Sequence, residues 1–286
     1  MDVSERRACK VISQPRMTQR YKPTRPDKDK ALTTEIRKLA NRHKRYGYRM
    51  VTAKLRQEGW FVNHKHVQRI WQKEGLQVPY RRKSKRATGG SDNSCSVKKA
   101  KFINHVWTYD FMSEQTEDGR RLKLLTILDE FTRESPAIEV GRSIKSKDVI
   151  ATLEYLFMVR GTPKYIRSDN GSEFIADAIK KWLRQKHVGT LYIEPGSPWE
   201  NGYIESFNGK LRDEVLDREV FYSVKEAKVI VESWRLEYNN HRPHSGLGYM
   251  TPAAFAASCI PSASPTAQPQ EYSVRNVGNS LIKAGT

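Results

Sequence analysis

Near residue 105 the pattern of this 286-residue chain changes, from helix-periodic segments to an aromatic and β-branched run, Val106–Met112, that opens a series of strands and helices. A chain with that break has to fold as two unlike parts, a small helical one followed by one built on a sheet. Charge divides at the same place. Residues 1–104 hold 28 Lys/Arg against 8 Asp/Glu, and the remainder holds 23 against 24, so the whole net charge of +19 belongs to the N-terminal third. A basic segment of that kind concentrates around polyanions and releases their counterions on binding, which points to nucleic acid.

Within the basic third, residues 1–30 are Pro-containing and weakly periodic, with a short helix expected around Ser4–Ile12. The stretch 31–76 reads as three short helices. Thr33 or Thr34 is expected to cap the first, which carries Ile36, Leu39 and Ala40 on one face. The second runs through Val51, Ala53 and Leu55 and stops near Gly59. Trp60-Phe61-Val62 makes a turn and Asn63 caps the third, whose inward residues are Val67, Ile70 and Trp71. Three helices with a tight turn before the last form a helix-turn-helix, and the third would present His64, Lys65, Gln68, Arg69 and Gln72 to base edges and phosphates. A basic linker follows over 77–104, with Arg81-Arg82-Lys83-Ser84-Lys85-Arg86, and is expected to touch DNA as well.

From 105 to 258 the pattern predicts a meander of three strands (Val106–Met112, Leu122–Leu128, Ser135–Val140), then a helix over 146–160 and a short strand ending at Asp169. A helix over 173–187, a strand Thr190–Ile193, a helix from about 200 and a helix over 223–240 complete it. That order gives a mixed five-stranded sheet with helices on both faces. The tail 259–286 is Ala/Ser/Pro-rich and reads as disordered.

Three cysteines, Cys9, Cys95 and Cys259, form no Cys-x-x-Cys pair and suit a reducing cytoplasm. His64-x-His66 and His241-x-x-His244 lack the cysteines of a structural zinc site. No apolar run approaches the roughly 20 residues a membrane span needs, and the first residues do not show a signal-peptide pattern.

Three acids stand out. Asp110 lies in the first strand, Asp169 at the end of the fourth, and Glu205 inside the helix from 200, with 35 residues between the last two. Breaking a phosphodiester needs an activated oxygen and a stabilised leaving oxygen, and two divalent ions about 4 Å apart supply both. Mg²⁺ prefers carboxylate oxygens, so a few acids must converge from rigid elements. Helical spacing puts Ile204, Phe207, Leu211 and Val215 on a core stripe and Asn201, Glu205, Asn208 and Arg212 on the adjacent one, where Asn208 and Arg212 can meet phosphate. Asp129, Glu173, Glu200 and Asp213 are rival acids on less convergent elements.

Several segments resemble one family: Trp107-Thr108-Tyr109-Asp110-Phe111, Leu128-Asp129-Glu130-Phe131-Thr132-Arg133, Ile166-Arg167-Ser168-Asp169-Asn170-Gly171, Asn201-Gly202-Tyr203-Ile204-Glu205-Ser206-Phe207-Asn208-Gly209-Lys210, and Tyr238-Asn239-Asn240-His241-Arg242-Pro243-His244. They are similar to the D-D-35-E integrase core of retroviral integrases and bacterial transposases, most nearly the second-frame (OrfB) transposases of the insertion-sequence-three family.

The resemblance implies a ribonuclease H-like fold. It implies Asp110, Asp169 and Glu205 as catalytic ligands of two Mg²⁺ or Mn²⁺ ions. DNA contacts are expected from Asn201, Asn208, Lys210 and Arg212, beside Lys65, Gln68, Arg69, Arg81, Arg82 and Lys83. The implied activity is cleavage at the 3′ ends of an insertion sequence and joining of those ends to target DNA. Double-stranded DNA, further copies of the chain and the upstream-frame product are the implied partners, in a bacterial cytoplasm at the nucleoid. Two other readings stay open: a non-catalytic DNA-binding repressor of transposition, and a ribonuclease H-type hydrolase.

Overall fold

The computed structural model describes residues 3–22, 26–77, 99–168, 173–192 and 201–259. Two short helices, α1 (Glu5–Val11) and α2 (Arg16–Arg20), precede α3 (Pro26–Arg42), α4 (Tyr48–Gln57) and α5 (His64–Lys73). The helix expected to be capped by Thr33 or Thr34 starts earlier. Proline suits the first helical position, where its missing N–H costs nothing, and the Thr34 hydroxyl is spent inside the helix, donating to the Lys30 carbonyl at 3.0 Å. Between α4 and α5, Gly59 takes φ +87°, a left-handed turn that glycine accepts without strain. Asn63 then caps α5, its side-chain oxygen accepting from the Lys65 N–H at 2.9 Å. Leu32, Ile36, Leu55, Val67 and Trp71 close this small core.

The second part is built on β1 (Val106–Gln115), β2 (Arg121–Asp129), β3 (Ala137–Gly141), β4 (Tyr165–Ser168) and β5 (Gly189–Tyr192), in the order β3-β2-β1-β4-β5. The first three are antiparallel; β4 and β5 run parallel to β1. A parallel neighbour requires a crossover, and α6 (Ser146–Arg160) supplies it between β3 and β4. This is a ribonuclease H-like sheet.

The alternation of strand side chains divides the core. Trp107, Leu125, Ile127 and Ile166 pack under α6 and α7 (Glu173–Gln185). Met112, Leu122, Leu124, Leu128 and Val140 pack under α8 (Gly202–Leu211) and α9 (Val224–Asn240). The α8 helix does not stop at Leu211 but runs into a π turn, Arg212–Leu216. A further helix, α10 (Pro252–Cys259), follows where the sequence reading assigned no element, and ends at the first residue of the tail read as disordered. The helical part meets the sheet part through Arg45, whose Nη2 lies 2.7 Å from Asp213 in the π turn, and through His43 beside Glu237 at 3.4 Å.

Candidate active site

Strand β1 turns Thr108, Asp110 and Met112 toward α8, because alternate residues share a face. Asp110 is half-buried there. Its Oδ2 accepts from Asn208 Nδ2 at 2.8 Å and its Oδ1 from the Phe111 N–H at 2.7 Å. Thr126 stands directly across the ladder on β2. Its hydroxyl lies 2.9 Å from Asn208 Oδ1 and 3.2 Å from the Asp110 carbonyl. One buried amide therefore links β1, β2 and α8.

The stripe of α8 that holds Glu205 follows β1 in the same direction. Asn201, at the helix start, meets the Thr108 hydroxyl at 3.2 Å. Asn208 meets Asp110, and Arg212 reaches the Ser113 carbonyl at 3.4 Å and Glu114 at 3.5 Å. Glu205 lies between the first two of these contacts, and it is exposed. Glu205 therefore belongs to the stretch of α8 that these two contacts hold against β1.

Asn201 and Asn208, expected at DNA, are instead buried, 8% and 9% exposed, with their amides bonded inside the protein. A sequence stripe does not show which of its members the strand consumes. Arg212 stays half-exposed and is shared with Glu114. Lys210 sits on another flank of α8, donating to the Ser206 carbonyl at 3.0 Å and hydroxyl at 2.8 Å. Lys65 and Arg69 are exposed on α5 and Gln68 is half-buried. Asp169, Arg81, Arg82 and Lys83 lie outside the described residues.

Sequence reasoning missed three positions. Thr108 and Thr126 are buried hydroxyls in apolar strands that fix α8 to the sheet. The strand bounds read from the sequence, 106–112 against 122–128, pair Asp110 with Leu124 end to end, and the two-residue difference in register hides Thr126. The third is Glu130, 2% exposed, whose Oε1 lies 2.9 Å from Arg167 Nε. That pair ties the end of β2 to β4. Burial pushes the Glu130 carboxyl up to about 7, outweighing the pull of Arg167 and Arg133.

Among the described residues no group of three His, Cys, Asp or Glu side chains converges closely enough to hold a metal. Asp110 and Glu205 offer hard carboxylate oxygens, the donor type that suits Mg²⁺ or Mn²⁺.

Two family models described as "Integrase core domain" match residues 103–198 and 186–252, and one described as "HTH-like domain" matches 26–84. The 39.2 kDa protein of insertion element IS476 from Xanthomonas euvesicatoria is 40% identical over 256 residues, 90% of this chain and 73% of that protein. The 31.7 kDa protein of insertion element IS407 from Burkholderia multivorans is 36% identical over 271 residues, 95% of this chain and 97% of that one. The transposase for insertion sequence element IS904 from Lactococcus lactis is 27% identical, over 78% and 92% of the two chains.

Among solved structures, the HTLV-2 integrase catalytic core domain in complex with magnesium is similar at a TM-score of 0.43 and 17% identity, covering 54% of this chain and 97% of that one. Among the described residues no helix is long and apolar enough to cross a membrane. With a helix-turn-helix-like domain ahead of a ribonuclease H-like integrase core, the chain belongs to the transposases of the insertion-sequence-three family, OrfB type.

Proposed function

We propose that Asp110, Asp169 and Glu205 form one catalytic centre that cuts the 3′ ends of an insertion sequence and joins them to target DNA. The observation that carries this reading is the pair of contacts on either side of Glu205, Asn201 to Thr108 and Asn208 to Asp110, which put its stretch of α8 against β1. The ladder between β1 and β4 supports the third member. It runs from Val106–Tyr165 to Thr108–Arg167, and β4 ends at Ser168, the residue before Asp169 in sequence.

The three carboxylates would hold Mg²⁺ or Mn²⁺, two ions in the full centre; bound there, the ions lower the pKa of an attacking oxygen and neutralise charge on the phosphate. The chain's own part is positioning. Asn208 keeps one Asp110 oxygen aligned while the stripe orients Glu205 toward the same cleft. In the first step a water oxygen bonds to phosphorus and the bond to the element's 3′ oxygen breaks. In the second that 3′ oxygen attacks a target phosphodiester, whose own 3′ oxygen leaves. Arg212, at the end of the stripe, steadies a nearby phosphate.

Domain by domain, the helix-turn-helix of 31–76 grips DNA with Lys65, Gln68 and Arg69, and the linker 77–104 adds Arg81, Arg82 and Lys83. The core 105–258 does the chemistry. Bringing two ends together calls for further copies of the chain on DNA and for the upstream-frame product, in the bacterial cytoplasm at the nucleoid.

The test is strand cleavage on duplexes carrying the element's termini. Asp110→Asn, Asp169→Asn and Glu205→Gln are each expected to abolish cleavage and joining while DNA binding persists. Chelation with EDTA should do the same, reversed by Mg²⁺ or Mn²⁺. Cleavage by any of these variants at the wild-type rate would refute the centre. Cutting of an RNA–DNA hybrid in preference to a terminal duplex would favour the hydrolase reading.

A further inference from the structure

On the flank of α8 away from Glu205, Tyr203, Ser206 and Lys210 line a cleft of about 510 Å³ that Arg133, His244 and Lys99 close from the other side. Arg133 is held there at some cost. Its backbone takes φ +62°, a conformation few residues other than glycine adopt. Its guanidinium carbon lies 3.5 Å from the centre of the Tyr203 ring, and its Nη1 is buried with no hydrogen-bond partner among the described residues. His244 Nδ1 is buried in the same condition.

The charges in this cleft are not balanced. Glu214, the acid that acts on Lys210 through space, is committed to Arg242, Oε1 to Nη2 at 2.6 Å. Among the described residues neither Arg133 nor Lys210 has a carboxylate within 4.0 Å. Burial, with Arg242 and Arg133 adding repulsion, takes the Lys210 ammonium down to about 8. Burial and the surrounding cations Lys210, Arg133 and Arg242 take His244 down to about 4. Stripping cations of water without giving them a counter-charge is unfavourable. A ligand that restores the balance is an anion able to use a planar guanidinium fork and an ammonium together, which describes a phosphate.

We propose that this cleft binds one backbone phosphate of the DNA strand, away from the position that Glu205 serves. The inference rests on the reading of α8 as the helix that carries the catalytic glutamate. A helix with its side chains is about 10–12 Å across, and a strand advances about 3.4 Å per phosphate. The two flanks of α8 are therefore about three base steps apart along the axis of a duplex lying across it.

The experiment is equilibrium binding of the full chain to a terminal duplex, titrated with salt. Arg133→Gln and Lys210→Gln are each expected to weaken binding about tenfold at 0.1 M salt. Each should flatten the slope of log K against log salt by about 1, the signature of one lost phosphate contact. Lys210→Arg should restore both. Thermal melting checks the fold, and Lys210→Gln decides the matter if the Arg133 variant unfolds. Wild-type affinity and slope in Lys210→Gln would overturn the proposal. So would a His244 imidazole pKa, followed by NMR, that rises with inorganic phosphate but not with the duplex. A Glu205→Gln variant run beside these separates the failures. If it cleaves, the catalytic reading falls; if it is inert while Lys210→Gln binds like wild type, only the cleft assignment falls.

Discussion

Asn208 donates to Asp110 Oδ2 at 2.8 Å while its own carbonyl oxygen lies 2.9 Å from the Thr126 hydroxyl. The β1 acid is therefore oriented by a side chain from the helix that also carries Glu205, so the two acids cannot drift independently. Asn208→Ala removes that link without removing either acid. We expect strand cleavage to fall at least tenfold with DNA affinity within about threefold of wild type, because orientation contributes to the rate and little to binding. Single-turnover cleavage beside fluorescence anisotropy checks it, and an equal loss in both would count against a positioning role.

Thr126→Val keeps the shape of the side chain and deletes its hydroxyl, leaving a buried Asn208 oxygen without its donor. The expected cost is about 1–3 kcal/mol. Urea unfolding should show a lower midpoint with an unchanged m-value.

Gly189 pairs with Tyr165 across β4 and β5. A Cβ there would lie 2.5 Å from Tyr165 Cδ1, closer than carbon atoms approach. Gly189→Ala must therefore displace the ring or the strand, and a loss of about 1–3 kcal/mol is expected from overpacking. Because β4 leads to Asp169, cleavage should drop further than the melting temperature alone accounts for. A variant with both properties unchanged would contradict this packing.

Glu130 sets a pH dependence with a definite sign. Its folded pKa, about 7, stands above the ordinary 4.5, so between those values the native state binds more protons than the unfolded chain. Stability is then full below about pH 4.5 and is lost as pH rises toward 7, by on the order of 3 kcal/mol at most. Denaturation midpoints measured from pH 4.5 to 7.5 should show that decline superimposed on the behaviour of the other groups. Glu130→Gln, which cannot ionise, should flatten it.

Much of this architecture is written in short-range pattern. Aromatic, β-branched and apolar runs placed the five strands, and Gly59 marked the end of α4 and Asn63 the start of α5, because capping and turn chemistry are local. The helix start at Pro26 was missed because two threonines offered a cap that tertiary structure did not use. The acid stripe on α8 could be read from helical spacing. Its division of labour could not: whether Asn208 faces a phosphate or Asp110 depends on strand register between segments about a hundred residues apart. The same holds for Thr126 and for the Glu130–Arg167 pair, whose members are ordinary residues until the sheet closes.

The π turn after α8 has a consequence for how this protein tolerates change. Within it Arg212 points to β1, Asp213 to Arg45 of the helical domain, and Glu214 to Arg242 and Trp234. Bonding each N–H to the fifth residue back instead of the fourth is equivalent to a one-residue insertion in an otherwise ordinary helix. Deleting any single residue from 212–216 would let the helix revert to ordinary winding, and all three side chains would lose their destinations together. Replacement of one of them disturbs one connection; shortening the segment disconnects the reading head, the sheet and the carboxy-terminal helices from one another in a single event.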